Sequence, residues 1–181
     1  MKKITFLLTI VVLAIGLMDC QDVAAVLPSF DITKDITKEM PVAVTANADG
    51  TCLDYTETTT FDLKSNTQIS ENFSRVQRIT VNSITWEVID YVGDDGVFIN
   101  GGLLKVGGTS FQIEEIDLKA ADTANDKFII TDATKLAAIA TELRTTGAIT
   151  ITLETSTAGN CENDFSYTLK ITANVKVTVQ P

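Results

Sequence analysis

The chain has no histidine, one tryptophan and three cysteines among its 181 residues. The absence of histidine excludes Ser–His and Cys–His nucleophile pairs, His-ligated zinc and an imidazole general base. Positive charge is also scarce, because 14 basic residues face 24 acidic ones and the net charge is −10. A chain without a cationic surplus cannot displace counterions from phosphates, so no nucleic-acid partner is expected.

Long hydrophobic runs are absent beyond the first twenty residues, which excludes a multi-span membrane protein. The apolar fraction of 45% and the charged fraction of 21% are those of a globular chain rather than a disordered one. No repeat of the length used by solenoids and propellers is visible. The length predicts one domain together with a targeting segment.

The amino terminus has the layout of a secretory signal. Lys2 and Lys3 precede an apolar run from Ile4 to Met18, and Asp19 is the first acidic residue. The run is shorter than the roughly 20 residues that a membrane span needs. We therefore assign residues 1–19 to a signal peptide and expect the protein to be exported.

The four residues that end in Cys20 resemble a bacterial lipobox, in which the cysteine is acylated and becomes the mature amino terminus. Leu17 matches that pattern, whereas Asp19 stands where small residues are usual. Cleavage after Ala25 by ordinary signal peptidase, with Val23 and Ala25 as the small residues, is an alternative. An uncleaved anchor is the third.

Residues 20–38 are interpreted as a tether. They contain the tandem repeat DITKDITK from Asp31 to Lys38, which has charges of both signs and few apolar side chains. A solvated spacer is the preferred interpretation, and a strand or a single helical turn is the alternative.

From residue 39 to residue 181 the dominant pattern is alternation of apolar and polar residues. Every second residue from Phe165 to Val179 is apolar, which predicts a long strand with one buried face. Alternation at 149–153 predicts the strand before it, and Gly159 and Asn160 favour a hairpin between them. Shorter runs predict earlier strands at 40–44, 55–63, 84–88, 97–106 and 111–113.

Glycines mark irregular points in this pattern. Gly107 and Gly108 predict a two-residue hairpin. Gly101 and Gly102 inside a strand, and the parity change between Ile113 and Ile116, both predict bulges.

Two short helices interrupt the strands. Ser65 and Gln68 resemble a capping box at the start of the first. Asp132 is the expected cap of the second, and Gly147 its carboxyl-terminal stop. About eight strands and two helices predict a mainly β fold, a two-layer antiparallel β-sandwich that is immunoglobulin-like or related.

Candidate catalytic residues are few. The acidic pairs Asp94-Asp95 and Glu114-Glu115 have the chemistry of a glycoside hydrolase. Adjacent strand residues point to opposite faces, however, and Asp-Gly is ordinary turn chemistry. We therefore assign no catalytic residue, and a carboxylate hydrolase is the less favoured alternative.

Metal and glycan sites are equally weak. Asn47, Asp49 and Gly50 mimic part of an EF-hand loop, but the bidentate glutamate is missing, and the oxygen-rich stretch 122–126 is too short. No metal site or cofactor is assigned, and calcium at an acidic loop stays open. A carbohydrate-binding or adhesive module would expose its aromatic side chains together on one face. The candidates are Trp86, Tyr55, Tyr91 and Tyr167.

The three cysteines predict one disulfide. If Cys20 carries lipid, Cys52 and Cys161 remain as a pair in a compartment where disulfides persist. Both lie at predicted strand ends, so a bond between them is expected. The alternatives are two buried thiols or a redox pair.

The lipobox-like start, the acidic mature chain, the threonine-rich strands and the order of helix, VNSITWEV strand and hairpin together resemble small exported lipoproteins of bacteroidete-type bacteria. The resemblance implies a non-enzymatic lipoprotein of the cell envelope, anchored in the outer membrane by its lipid and facing the periplasm or the surface. Such a protein would bind or scaffold, with an envelope protein or a glycan as its partner. The resemblance carries no catalytic residues.

Overall fold

The computed structural model describes residues 28–47 and 50–181. The predicted signal peptide, Cys20 and the alternative cleavage residue Ala25 lie outside the described residues, so those assignments stay predictions. In the described part of the chain, no helix has the length and apolar character needed to cross a membrane.

The described residues form eight strands and three short α-helices. The strands are β1 (Phe30–Val44), β2 (Asp54–Asp62), β3 (Val76–Val92), β4 (Val97–Val106), β5 (Thr109–Asp117), β6 (Lys127–Ile130), β7 (Ala148–Gly159) and β8 (Phe165–Val179). The helices are α1 (Thr67–Asn72), α2 (Leu118–Ala124) and α3 (Ala133–Thr146), and 3-10 turns flank α1 at Leu63–Ser65 and Phe73–Arg75.

The strands form two antiparallel four-stranded sheets. Sheet A has the order β1-β8-β3-β6, and sheet B has the order β2-β7-β4-β5. Successive strands pass from one sheet to the other except at the β4–β5 hairpin. Eight strands in this order make a jelly roll, one of the double-sheet folds. The predicted two-layer antiparallel sandwich is confirmed, and its strand order is the jelly-roll one rather than the immunoglobulin one.

The core lies between the sheets, and β8 contributes to it along its whole length. Phe165, Leu169 and Val177 are among the alternate residues of β8 that are buried, as the sequence pattern predicted. On one side β8 pairs with β1 over fifteen residues, and on the other it pairs with β3. It is therefore the strand that holds sheet A together.

The assignment of residues 30–38 to a tether is wrong, because they form the first part of β1. Phe30 pairs with Val179, and the pairing continues without interruption to the end of the strand. Ile32 and Ile36 are buried, whereas Lys34 and Lys38 occupy the same inward parity and stay partly or fully exposed. Inward-pointing charges are a known protection of edge strands against unwanted pairing. The charged repeat is thus the signature of an edge strand.

The three helices agree with the predictions to different degrees. Helix α3 is confirmed, since the Asp132 carboxylate accepts hydrogen bonds from the first turn and Gly147 ends the helix at φ 79°. At α1 the cap is Asn66 rather than Ser65, and its side chain accepts from the Ile69 amide. Helix α2 and strand β6 were not predicted; the Asp117 side chain caps α2.

The bulge predicted at Gly101 and Gly102 is confirmed. The register between β4 and β7 shifts by one residue between Ile99 and Gly102. Gly102 has φ 144°, and a Cβ atom there would collide with the Glu154 carbonyl oxygen of β7. Glycine is therefore required at this point, where two backbones come close.

Candidate functional site

The predicted disulfide is present and closes one end of the sandwich. The Cα atoms of Cys52 and Cys161 are 5.2 Å apart across a sequence separation of 109 residues. Cys161 is buried, and Cys52 is exposed before β2. The bond joins the segment before β2 to the β7–β8 connection, within the Cα separation that unstrained disulfides adopt.

Acidic side chains near the disulfide bind loops to each other. Asp164 accepts a hydrogen bond of 2.8 Å from the Ala46 amide. Asp94 accepts one of 2.6 Å from the Asn163 side chain, and Asp95 pairs with Lys119. These contacts give the acids a structural role at the surface.

The other acidic candidates do not converge either. Glu114 and Glu115 are both exposed, at the point where β5 changes parity. Among residues 28–47 and 50–181, no three potential ligands come close enough to hold a metal ion. Asn47 takes part in a turn whose Gly50 amide donates to its carbonyl, and Asp122 accepts from the Tyr91 amide. The Asn47 side chain donates to the Thr51 hydroxyl at 2.8 Å, and the Asp122 carboxylate holds the backbone of β3, so both side chains have local structural partners.

The four candidate aromatic residues do not form an exposed platform. Trp86 is 6% exposed and stacks on Phe128 with ring centroids 4.2 Å apart. Tyr167 is 2% exposed, and its hydroxyl lies 2.7 Å from that of Tyr55. Tyr91 donates to the Asp94 carbonyl. The carbohydrate-binding alternative thereby loses the surface on which it depended.

The tyrosine pair is a polar contact inside the disulfide end of the sandwich. Burial raises the pKa of Tyr55 to about 12, and the hydrogen bond between its hydroxyl and that of Tyr167 offsets part of that rise. Burial also raises the pKa of Tyr167 well above its ordinary value. Both hydroxyls therefore stay protonated at any physiological pH, and their chemistry is that of a satisfied structural pair.

The outer face of sheet A carries a network of paired polar groups. Glu87 is 2.8 Å from the Lys170 ammonium and 3.9 Å from that of Lys127. The Asn174 side chain donates to Asp35 at 2.6 Å. These groups already satisfy one another, so they have little unpaired polarity to offer a ligand.

The edge of sheet A that carries β6 also has a groove. Strand β6 pairs with β3 only from Ile84 to Glu87. After β6 the chain leaves the edge, because Asp132 caps α3 and turns the backbone into that helix. The preceding part of β3 therefore has β8 on one side and no strand of the described chain on the other.

We call this site the β3 edge groove. Its volume is about 590 Å³, within the range of small-ligand pockets. Its walls are the open edge of β3 and the side of α3 that faces that edge. The lining residues are Arg78, Ile79, Thr80, Val81, Asn82, Thr131, Ala133, Leu136, Ala137, Ala140, Thr141 and Arg144.

The charge of the groove is opposite to that of the protein. Its lining includes Arg78 and Arg144 and contains no acidic residue. The chain has only one other arginine, Arg75. Arg144 donates to the Gln77 carbonyl at 3.2 Å, and among the described residues no carboxylate forms a salt bridge with Arg78 or Arg144. This groove was not predicted from the sequence, because Arg78 and Arg144 are far apart along the chain and only the fold brings them together.

Comparisons with known proteins bear on the fold alone. No model of a known protein family matches the chain, and no curated protein matches it. A crystal structure of the decameric BFDV capsid protein is similar, with a TM-score of 0.51 and 11% identity over 82% of this chain and 99% of that one. The 60-mer BFDV capsid protein has a TM-score of 0.40 at 10% identity, covering 84% and 95% of the two chains. At 11% identity, the likeness to the decameric capsid protein shows a shared fold alone.

Proposed function

We propose that the protein is a non-enzymatic binding or scaffold module of the cell envelope, held to the membrane by a lipid on Cys20. The disulfide between Cys52 and Cys161 is the observation that carries this proposal. Disulfides persist in compartments outside the cytosol, so the bond supports export. Because it uses two of the three cysteines, Cys20 is the one available for acylation.

Two further features support a binding role over a catalytic one. The candidate acids Asp94, Asp95, Glu114 and Glu115 are exposed, and the first two hold neighbouring side chains in place. The β3 edge groove has hydrophobic, hydroxyl, amide and guanidinium groups in its lining and no carboxylate or thiol. Such a lining can hold a ligand, whereas a general acid or base would need a titratable group near neutral pH.

The lipid anchor is tested by expressing the full chain in a bacterium with a lipoprotein export pathway and feeding a labelled fatty acid. Wild-type protein is expected to incorporate the label, to partition into detergent and to have a mature amino terminus at Cys20. Cys20→Ala should lose the label and the detergent partition. More than one acyl chain is needed for stable anchoring.

The matched control is the double variant Cys52→Ala/Cys161→Ala, which removes the other two thiols. It should still incorporate label, which shows that the acyl group is attached at Cys20. Recovery of an unlabelled, water-soluble protein whose first residue is Val26 would contradict the proposal and would favour cleavage after Ala25.

A further inference from the structure

The open segment of β3 is short and regular. Residues 78–81 pair in register with β8, and irregularities on either side interrupt the pairing between Val76 and Arg78 and between Val81 and Ser83. The segment is thus four residues long, the same length as β6, which already adds to the neighbouring part of this edge. Sheet A therefore accepts short antiparallel strands at this edge.

This edge lacks the protection found on the opposite edge of the sheet. Strand β1 carries Pro41, which cannot donate a hydrogen bond, as well as the inward-parity Lys34 and Lys38. The open segment of β3 has no proline, and its inward positions are the buried Ile79 and Val81. A strand segment that pairs with no strand on one side is a template for strand addition, even though α3 lies beside it and Arg144 donates to the Gln77 carbonyl.

The charge of the groove indicates what kind of strand fits. Arg78 lies on the open strand, and Arg144 lies on the facing helix. Arginine binds carboxylates through two parallel hydrogen bonds, which makes such contacts specific. A second copy of this chain, with its net charge of −10, would meet overall repulsion on approach. A short acidic segment makes the same contacts with the two arginines, and the rest of the acidic protein repels it less.

We propose that the β3 edge groove binds an extended acidic peptide segment of a partner protein. The segment adds to sheet A as a strand beside residues 78–81, in line with β6. Its carboxylates contact Arg78 and Arg144, and its apolar side chains lie against Leu136 and Ala140 of α3. This inference rests on the proposed binding role, for which it supplies the chemical class of the partner. Because so few residues pair, the complex is weak and transient.

The test measures binding of a synthetic peptide to the full chain purified in detergent. The probe is acetyl-Thr-Glu-Val-Glu-Val-Thr-amide with a neutral fluorophore, and fluorescence anisotropy gives its Kd. There are two comparison peptides. In the first, lysine replaces both glutamates, and in the second, proline replaces the valine between the glutamates. The acidic peptide should bind at least about tenfold more tightly than either, although the overall charge of the protein favours the lysine peptide. Its affinity should fall as salt is added.

Charge variants with a matched control locate the site. Arg78→Glu and Arg144→Glu should each weaken binding at least about tenfold. Arg75→Glu changes the remaining arginine, which lies outside the groove and donates to Asn72, and should leave the affinity unchanged. Melting temperatures of all variants establish that they remain folded.

Steric variants on one helix supply a second control. Ala137 lines the groove, whereas its exposed neighbour Ala138 does not. Ala137→Trp should abolish binding, and Ala138→Trp should not affect it. Hydrogen exchange should slow, when the peptide is added, at those amides of residues 78–81 that point away from β8, because the new strand pairs with them.

Three results would overturn the inference. One is the absence of peptide binding by folded wild-type protein. Another is equal binding by the lysine peptide or by Arg78→Glu. The third is protection of residues 78–81 against hydrogen exchange in the absence of peptide, if that protection increases with protein concentration. This result would assign the groove to a second copy of the chain. None of these depends on the lipid label at Cys20, so the anchor and the groove succeed or fail separately.

Discussion

Reduction of the Cys52–Cys161 bond should lower the free energy of unfolding by about 4–5 kcal/mol. The bond closes a loop across 109 residues of sequence separation. In the chain-entropy model a loop of that length restricts the unfolded chain by this amount at 25 °C, and native strain can reduce it. For a domain of this size the change corresponds to a fall in Tm on the order of 10–15 °C.

Urea unfolding with and without reductant measures this effect. The slope of the unfolding free energy against urea should also increase, because an unfolded chain without the cross-link exposes more surface. The variant Cys52→Ala/Cys161→Ala is the control, since reductant should not change its stability. Alkylation of the untreated protein should label neither Cys52 nor Cys161. A loss below about 1 kcal/mol after complete reduction would refute the reasoning, as would two freely labelled thiols in oxidised protein.

Three further predictions concern stability. Tyr55→Phe should lower the free energy of unfolding by about 1–3 kcal/mol, because it leaves the buried hydroxyl of Tyr167 without its partner. The double variant Tyr55→Phe/Tyr167→Phe should lower it by less than the sum of the two single variants. Urea unfolding of all four proteins gives the coupling energy between the two hydroxyls. The contribution of the buried tyrosines to stability should be constant from neutral pH to about pH 10, and it should fall by about 1.4 kcal/mol per pH unit for each of them as the pH rises towards 12. The reason is that the unfolded state loses a proton that the raised pKa of Tyr55, about 12, keeps on the folded state. Urea midpoints between neutral pH and pH 12 measure the fall. Gly159→Ala should destabilise the protein by at least about 1 kcal/mol more than Gly96→Ala does. Both glycines have positive φ, but only at Gly159 does an added Cβ atom meet a backbone oxygen. Thermal unfolding of the two variants measures the difference.

Each of these has a clear contrary result. Additive costs for the two tyrosine variants would show that the hydroxyls are not coupled. Stability that stays level above pH 10 would show that the folded state releases its tyrosine protons as easily as the unfolded chain. Equal costs at the two glycines would show that the β7 end adjusts to an added methyl group.

The sequence predicts well those elements whose pattern is local. Strand β8 alternates without a break, α3 has both its cap and its stop, and the paired glycines mark the β4–β5 hairpin and the bulge before it. The disulfide followed from counting cysteines in a chain that is predicted to be exported. Each of these signals is contained within a few neighbouring residues or in the composition.

The failures have physical reasons. The charged repeat of β1 resembles a spacer because the inward lysines that protect an edge strand also break the apolar alternation. Strand β6 is too short to show a period, and α2 is a seven-residue helix that follows directly from β5. The order of strands in the two sheets depends on contacts between distant residues, which no local pattern reports.

The β3 edge groove could not have been predicted from local patterns either. It exists because β6 stops where Asp132 turns the chain into α3, and its charge comes from Arg78 and Arg144, which are distant in the sequence. The candidate acids and aromatic residues were visible in the sequence, but their orientation was not. The fold therefore decides which polar residues form a surface and which satisfy each other.

The position of β8 has a consequence for the biogenesis of the protein. Sheet A has β8 between β1 and β3, yet β8 follows both of them in the chain by many residues. Until Phe165–Val179 has been synthesised, β1 has no strand partner in the described part of the chain, and β3 has only the four residues of β6. A nascent chain of this protein thus cannot complete sheet A until its last strand has been synthesised, although all four strands of sheet B precede β8. Premature termination before β8 would leave two long unpaired strands, the species most prone to aggregate.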